Sequence, residues 1–245
     1  KFFEALDEEC FSENLDLQAC LHDHKFDWQN KWLSNLETLK LSKCTLPCAI
    51  PFGILSNLNK LEELEVRDND KVEVIFSMND TGTLEITPQL KILTLKGLSK
   101  LTHVWKKNSR GVLIFPNLQQ VVVRDCESLQ ILFPTSVAKN LKKLEKLRIK
   151  SCNKLQEIVE KEEDEATNVI MEEFVFPRLE KLALFKLPQL TCFYPQTFTL
   201  TCPALKQLFV LDCDKLESFQ NAHPSGEGEG IGTSTNIMPL ISNLE

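Results

Sequence analysis

No apolar run in this 245-residue sequence approaches the roughly 18 residues a membrane-spanning helix requires, so no transmembrane segment is predicted. The first residues, Lys1-Phe2-Phe3-Glu4, put acid where a secretory leader needs an apolar core, and they read as an internal start. Histidine is scarce, at four residues, and the nine cysteines are an odd set that argues against a disulfide framework. Without a leader, that usage points to free, mostly buried thiols in a reducing, cytoplasmic setting. The one glycosylation triplet, Asn79-Asp80-Thr81, is of a kind that arises by chance in a chain this long.

A basic excess is also missing. The net charge is −7, and residues 157–173 alone hold eight acids against one base, leaving 27 acids and 27 bases elsewhere. The acidity is therefore a local insertion and not a global field. Neither half of that balance suits sequence-independent binding to nucleic acid, and no specific nucleic-acid partner is expected.

What the chain does have is an internal repeat. Leucine, two variable residues, an apolar residue, one variable, another apolar, two variable, then Cys, Asn or Leu recurs seven times. The copies are Leu36-Leu39-Leu41-Cys44, Leu61-Leu64-Val66-Asn69, Leu90-Leu93-Leu95-Leu98, Leu118-Val121-Val123-Cys126, Leu144-Leu147-Ile149-Cys152, Leu179-Leu182-Leu184-Leu187 and Leu205-Leu208-Val210-Cys213. Leu244 starts another. A longer period overlies this one: the units at Leu36, Leu118 and Leu205 all end in cysteine, and 90–102 parallels 179–191, as if a three-repeat block had been duplicated.

An apolar-x-apolar core is a short strand that buries alternate side chains, and one such strand cannot bury that face alone. Stacking the units gives an α/β solenoid, a leucine-rich repeat horseshoe whose concave side is a parallel sheet. The outer segments are expected to be irregular with short helices, as at 51–58 and 134–141, where Thr135 or Ser136 supplies a cap. Prolines 116, 177 and 203 fall where the chain enters a strand. The ninth-position Asn or Cys should point inward, Asn bonding loop backbone groups and Cys filling the same space, which accounts for Cys44, Cys126, Cys152 and Cys213. The organisation expected is a flanking or imperfect capping repeat over 1–32, seven units over 33–220, a Gly/Ser-rich flexible loop over 221–236 and the start of a further repeat over 237–245.

The variable strand positions face outward in columns. One column runs Ser42, Arg67, Lys96, Arg124, Lys150, Phe185, Leu211, and its neighbour runs Lys40, Glu65, Thr94, Val122, Arg148, Ala183, Phe209. The candidate partner-binding residues are therefore Arg67, Lys96, Arg124, Arg148, Lys150, Phe185, Phe209 and Leu211, a basic stripe with an apolar end. They suit an acidic protein surface with an apolar anchor. Two plainer readings compete: Asp68 and Asp125 neutralise the stripe, and the 221–236 loop or a further repeat covers its apolar end. The acidic insertion is either a solvated loop or a segment that docks on a basic domain.

Outside the leucines, Leu101-Thr102-His103-Val104-Trp105, Phe115-Pro116-Asn117-Leu118, Asp125-Cys126-Glu127-Ser128-Leu129, Leu132-Phe133-Pro134 and Ser136-Val137-Ala138 stand in order, followed by Leu144-Glu145-Lys146-Leu147, Ser151-Cys152 and Glu157-Ile158-Val159-Glu160. This succession resembles the distal leucine-rich repeats of plant coiled-coil nucleotide-binding disease-resistance proteins, over nearly all of 36–216. The resemblance implies a module that senses a pathogen effector, or a host protein altered by one, and restrains a nucleotide-binding switch domain. No Gly-x-x-x-x-Gly-Lys-Ser/Thr loop or heptad stretch occurs in the chain, so the resemblance extends to the sensing arm alone.

Catalytic and metal readings are weaker. Four histidines and a one-dimensional stack offer no assignable triad, and no enzyme activity, cofactor or metal is expected. Cys10, Cys20, His22 and His24 match no zinc spacing. A substrate-recognition domain of a ubiquitin ligase would share the fold, but 1–32 supplies no clear adaptor-binding motif. A plant receptor ectodomain would carry paired cysteines and a Gly-x-Ile-Pro signature, which is absent.

Overall fold

The structure is a computed structural model describing residues 14–18, 31–43, 47–55, 57–77, 85–106, 112–160, 173–193 and 199–216. In chain order the first elements are β1 (Asn14–Gln18), a 3-10 turn (Lys31–Asn35), β2 (Thr38–Ser42), β3 (Cys48–Pro51), α1 (Phe52–Leu55), β4 (Glu63–Arg67), β5 (Val74–Ser77) and β6 (Glu85–Ile86). Then come β7 (Ile92–Lys96), β8 (His103–Lys106), β9 (Val112–Leu113), β10 (Gln120–Arg124), β11 (Ile131–Phe133), α2 (Thr135–Ala138) and β12 (Lys146–Lys150). β13 (Glu157–Val159), β14 (Glu173–Val175), β15 (Lys181–Phe185), β16 (Thr199–Thr201) and β17 (Gln207–Leu211) complete the series.

The chain is a parallel β-solenoid with little helix. Each repeat contributes one five-residue strand to an eight-stranded sheet of order β1-β2-β4-β7-β10-β12-β15-β17, every neighbour parallel. Register is fixed by the buried columns: Leu64 pairs with Leu93, Leu93 with Val121, Val121 with Leu147 and Leu147 with Leu182. A slip of one residue would turn each of these to solvent. Leu93, Val121 and Leu182 are essentially fully buried, each worth about 1.5–3 kcal/mol of burial. The sheet begins one strand earlier than the seven leucine units, because Leu15-Asp16-Leu17 pairs in register with Leu39-Lys40-Leu41.

The residue after each inner-sheet strand from β2 to β17 turns left-handed. Lys43, Asp68, Gly97, Asp125, Ser151, Lys186 and Asp212 all have φ between 49° and 62°. Their amides then continue the ladder, Asp68 N–H to the Lys96 carbonyl and Asp125 N–H to that of Lys150. The non-glycine members accept a conformation costing about 1–2 kcal/mol because the stacked neighbours on both sides dictate it. At Gly97 a Cβ would stand 3.2 Å from Oδ1 of Asp68, a side chain that can yield. Gly97→Ala is therefore expected to cost about 1–2 kcal/mol, from the left-handed backbone and not from crowding, measured by denaturant unfolding.

The ninth position works as its chemistry suggests. Asn69 is buried, and its Oδ1 accepts the N–H groups of Lys71 at 2.8 Å and Val72 at 3.1 Å. Cys126, Cys152 and Cys213 replace it with a thiol that donates back to the carbonyls of Arg124, Lys150 and Leu211. The prolines sit slightly earlier than a strand entry. Pro116, Pro177 and Pro203 each occupy the second position of a turn closed by the first leucine of the repeat, as in Leu118 N–H to Phe115 O at 3.3 Å.

The outer layer is mainly extended, not helical, and α1 and α2 are single turns. Neither Thr135 nor Ser136 caps α2. Pro134 stands at its start with no side-chain bond, and the Thr135 hydroxyl instead donates to the Glu160 carbonyl of the next repeat at 2.6 Å. The three-repeat period reappears here in three dimensions. A one-turn helix occurs in the first unit of the blocks starting at Leu36 and Leu118, and paired short strands occur in their second and third units, β6 with β9 and β14 with β16. Thr102 and Thr191, both in third units, donate side-chain bonds to Glu73 and Gln156 at the same 3.1 Å.

The blocks also carry separate outer sheets. β3, β5 and β8 pair in one, and β11 pairs with β13 in another that Cys192 extends by a bridge to Glu157. Among the described residues no backbone hydrogen bond joins β8 to β11. Aromatic packing crosses that seam instead: Trp105 lies 5.1 Å from Phe133 on the far side, and 5.8 Å from Phe115 and 6.1 Å from Phe76 on its own, centroid to centroid.

Cys44, the sequon at Asn79, the Cys10/Cys20/His22/His24 group, the core of the acidic insertion, the 221–236 loop and the 237–245 unit lie outside the described residues.

Candidate functional site

The outward positions of the eight-stranded sheet form one continuous face, with side chains about 4.8 Å apart between strands. Arg67, Lys96, Arg124 and Lys150 occupy the last outward position of β4, β7, β10 and β12, paired in register. Phe185 and Leu211 continue that column on β15 and β17, while Arg148 and Phe209 stand in the middle column. The eight residues singled out from sequence thus share one face.

Two cations that the sequence reading left out belong with them. Lys146 and Lys181 hold the first outward position of β12 and β15 and are exposed. From β7 to β17 the face carries Lys96, Arg124, Lys146, Arg148, Lys150 and Lys181, and no outward-facing carboxylate. The same period-two rule that gave the other columns predicts these two; reading the first column as well finds them.

Asp68 and Asp125 do not close ion pairs with the stripe. Among the described residues the salt bridges join Lys71 to Asp70, Lys91 to Glu62 and Lys206 to Glu180, none involving Lys96, Arg124, Arg148 or Lys150. The two aspartates are exposed and sit in the left-handed turns past the strand ends. Arg124 is half-buried, and its Nε is enclosed with no hydrogen-bond partner. Leaving such a donor unpaired costs about 1–3 kcal/mol, a cost an incoming acceptor would remove.

The apolar end is less bare than its sequence suggests. Phe185, Phe209 and Leu211 are half-buried, and Ala183 between them is buried. The Arg148 guanidinium lies 5.8 Å from the Phe185 ring centroid, and Lys181 Nζ lies 5.4 Å from that of Phe209. These cation–π contacts are worth about 0.5–1 kcal/mol each at exposed sites, so they hold the aromatics in place while leaving their edges open. The large hydrophobic residue left exposed among those described is Val210, at 39 %, on the inward side of the last described strand.

The thiols are structural. Cys126 and Cys152 stack in neighbouring repeats, and the adjoining Cys152 thiol together with burial pushes the Cys126 thiol up. Burial alone raises Cys202 to about 12, and it raises Cys48 and Cys213 as well. At pH 8 Cys48, Cys126, Cys202 and Cys213 should resist thiol reagents in the folded protein and react only on unfolding, whereas the Cys126 thiol beside Cys152 lowers the latter. Because the folded pKa of Cys202 lies above its ordinary 9.0, the stabilisation is full below pH 9 and is lost as pH rises toward 12. Thiol titration and melting temperature across that window check both statements. Among the described residues no group of His, Cys, Asp and Glu could hold a metal, and no helix is long and apolar enough to cross a membrane.

A repeated strand, an inward Asn/Cys turn and a variable outward face define the chain as a leucine-rich repeat solenoid. The family model described as "Plant disease resistance protein RPS2-like, leucine-rich repeats" matches residues 6–153 and 141–223, and the chain belongs to that family. It is also 32 % identical over 149 residues to "Putative disease resistance protein At4g19050" of Arabidopsis thaliana, a match covering 60 % of this chain and 11 % of that protein. The chain thus spans about a tenth of the length of the curated relative it matches. No solved structure matches it.

Proposed function

We propose that this chain is the protein-recognition and regulatory module of a plant innate immune receptor acting in the cytoplasm. It senses a pathogen effector or a modified host protein on the concave face, and it restrains a nucleotide-binding switch domain of the parent protein. It acts by binding, without catalysis, cofactor or metal. The family supports the setting, since leucine-rich repeats of resistance proteins generally mediate protein interactions. The observation that carries the reading is the face from β7 to β17, with six cations, no outward-facing carboxylate and an aromatic end.

Like charges at this spacing repel by under about 1 kcal/mol per pair in water, a cost that an acidic partner reverses on binding. Arg67, Lys96, Arg124, Arg148 and Lys150 supply charge, and Phe185, Phe209 and Leu211 supply the anchor. Arg124→Glu and Phe209→Ala, introduced separately into the receptor, are expected to abolish or strongly weaken the triggered defence response. Lys142→Glu, an exposed site off this face, should leave it intact. An unchanged response in both face variants, at wild-type protein levels, would overturn the proposal.

A further inference from the structure

The seam between the two three-repeat blocks holds a cavity that the partner face does not use. It has a volume of about 250 Å³ and is lined by His103, Val104, Trp105 and Lys106 of β8, Ile131 and Leu132 of β11, then Pro134 and Glu160. It exists because the outer ladder stops there: β8 pairs back to β5 and β11 forward to β13. In a parallel strand alternate residues direct their amide and carbonyl groups to opposite sides. Val104, between the paired residues His103 and Trp105, therefore points its backbone groups toward the seam, and so does Ile131's side of β11 present an edge without a β8 partner.

The floor is apolar, formed by buried Val104, Trp105 and Leu132 with half-buried Ile131 and Pro134. The rim is charged with opposite signs on opposite blocks. His103 and Lys106 are exposed on β8, whereas Glu160 stands on the far side with its backbone fixed twice, N–H to Phe133 O at 2.8 Å and carbonyl to the Thr135 hydroxyl at 2.6 Å. Among the described residues neither Lys106 nor His103 forms an ion pair with Glu160. The Trp105 Nε1 is buried at the same seam without a hydrogen-bond partner. Orphaned donors of that kind are uncommon enough in folded proteins to need a reason.

We propose that this seam cavity binds a small zwitterion with an apolar body, of the size and chemistry of a free aromatic or branched amino acid. Its volume falls just below the roughly 300–1,000 Å³ of drug-sized sites, which limits the occupant to something of that size. The acid of the ligand meets Lys106 and His103, its amine meets Glu160, and its apolar group lies over Trp105, Val104 and Ile131. A molecule with one charge leaves the opposite rim unanswered. Bound there, the ligand joins two blocks that no outer backbone hydrogen bond joins among the described residues, so occupancy stabilises the array.

The test titrates the full chain with L-phenylalanine, L-leucine, phenylacetate and phenethylamine, following calorimetry, intrinsic tryptophan fluorescence and melting temperature. The amino acids are expected to bind with Kd below about 1 mM and raise the melting temperature, with the two singly charged probes at least about tenfold weaker. Lys106→Gln and Glu160→Gln should each weaken amino-acid binding by about tenfold. Ile131→Trp, which fills the cavity, should abolish it while circular dichroism stays native. No binding by either amino acid, equal binding by a singly charged probe, or undiminished binding in natively folded Ile131→Trp overturns the proposal.

Discussion

Replacing Phe133 by alanine is expected to lower the unfolding free energy by about 3–5 kcal/mol, the range for removing a buried phenylalanine. Phe133 is fully buried, and its ring packs 5.1 Å from Trp105 across the one step where the described outer strands do not pair. At the described steps inside each block a lost side chain leaves backbone pairing on both layers. At this step only the inner sheet would remain, through Gln120–Arg124 against Ile92–Lys96. Nearest-neighbour coupling between repeats governs whether a solenoid unfolds as one unit. Equilibrium denaturation of Phe133→Ala should therefore show a broadened or two-step transition, whereas Leu64→Ala, inside the first block, should keep a single one. A single transition of wild-type steepness in Phe133→Ala would argue against a seam.

Asn69→Ala should cost about 2–3 kcal/mol. The buried Val72 N–H and the part-buried Lys71 N–H lose their acceptor, and a buried unsatisfied group carries a penalty of about 1–3 kcal/mol, less where water reaches it. Asn69→Asp keeps an acceptor at the same reach and should recover part of the loss. Asn69→Cys is the instructive case. The repeats at Cys126, Cys152 and Cys213 prefer a thiol, but there the thiol donates backward to a carbonyl two residues earlier. Cysteine at 69 should therefore fill the space without serving the two amides, and lie between wild type and alanine in thermal denaturation.

The repeat was open to sequence reading because its signal is redundant. Seven units with the same apolar spacing overdetermine the strands, and the inward Asn or Cys follows from chemistry at a fixed position. The left-handed residue after each inner-sheet strand from β2 to β17 was not legible in the same way. Asp68, Gly97 and Asp125 belong to types that favour positive φ, but Lys43 and Lys186 occupy the same place, so stacking and not residue preference sets it. The cap expected at Thr135 failed for a related reason. A cap oxygen accepts backbone N–H groups, but Pro134 holds the cap position, and the Thr135 hydroxyl instead donates to the Glu160 carbonyl of the next repeat, 25 residues away in sequence. Non-local competition of that sort leaves no mark in a local motif.

The candidate face was legible in part. Arg67, Lys96, Arg124 and Lys150 could be read as a column because period two places them there, and the structure keeps them together. The roofing of Phe185 by Arg148 and of Phe209 by Lys181 runs diagonally between columns, and column reading does not see diagonals. The seam was harder still. The sequence hinted at a three-repeat block, yet only pairing of the outer strands shows that one block's ladder ends before the next begins.

One comparison tests the proposed recognition face most directly: the affinity of an acidic protein partner for two charge-reversed forms of the repeat region, matched in net charge. In the first, Arg124→Glu is combined with Lys150→Glu on the sheet face; in the second, Lys142→Glu is combined with Lys154→Glu, both exposed and off it. A loss of about a hundredfold or more in the first form, steepest at low salt, and little change in the second is the predicted result. Equal losses in both forms, or none in the first, would contradict it.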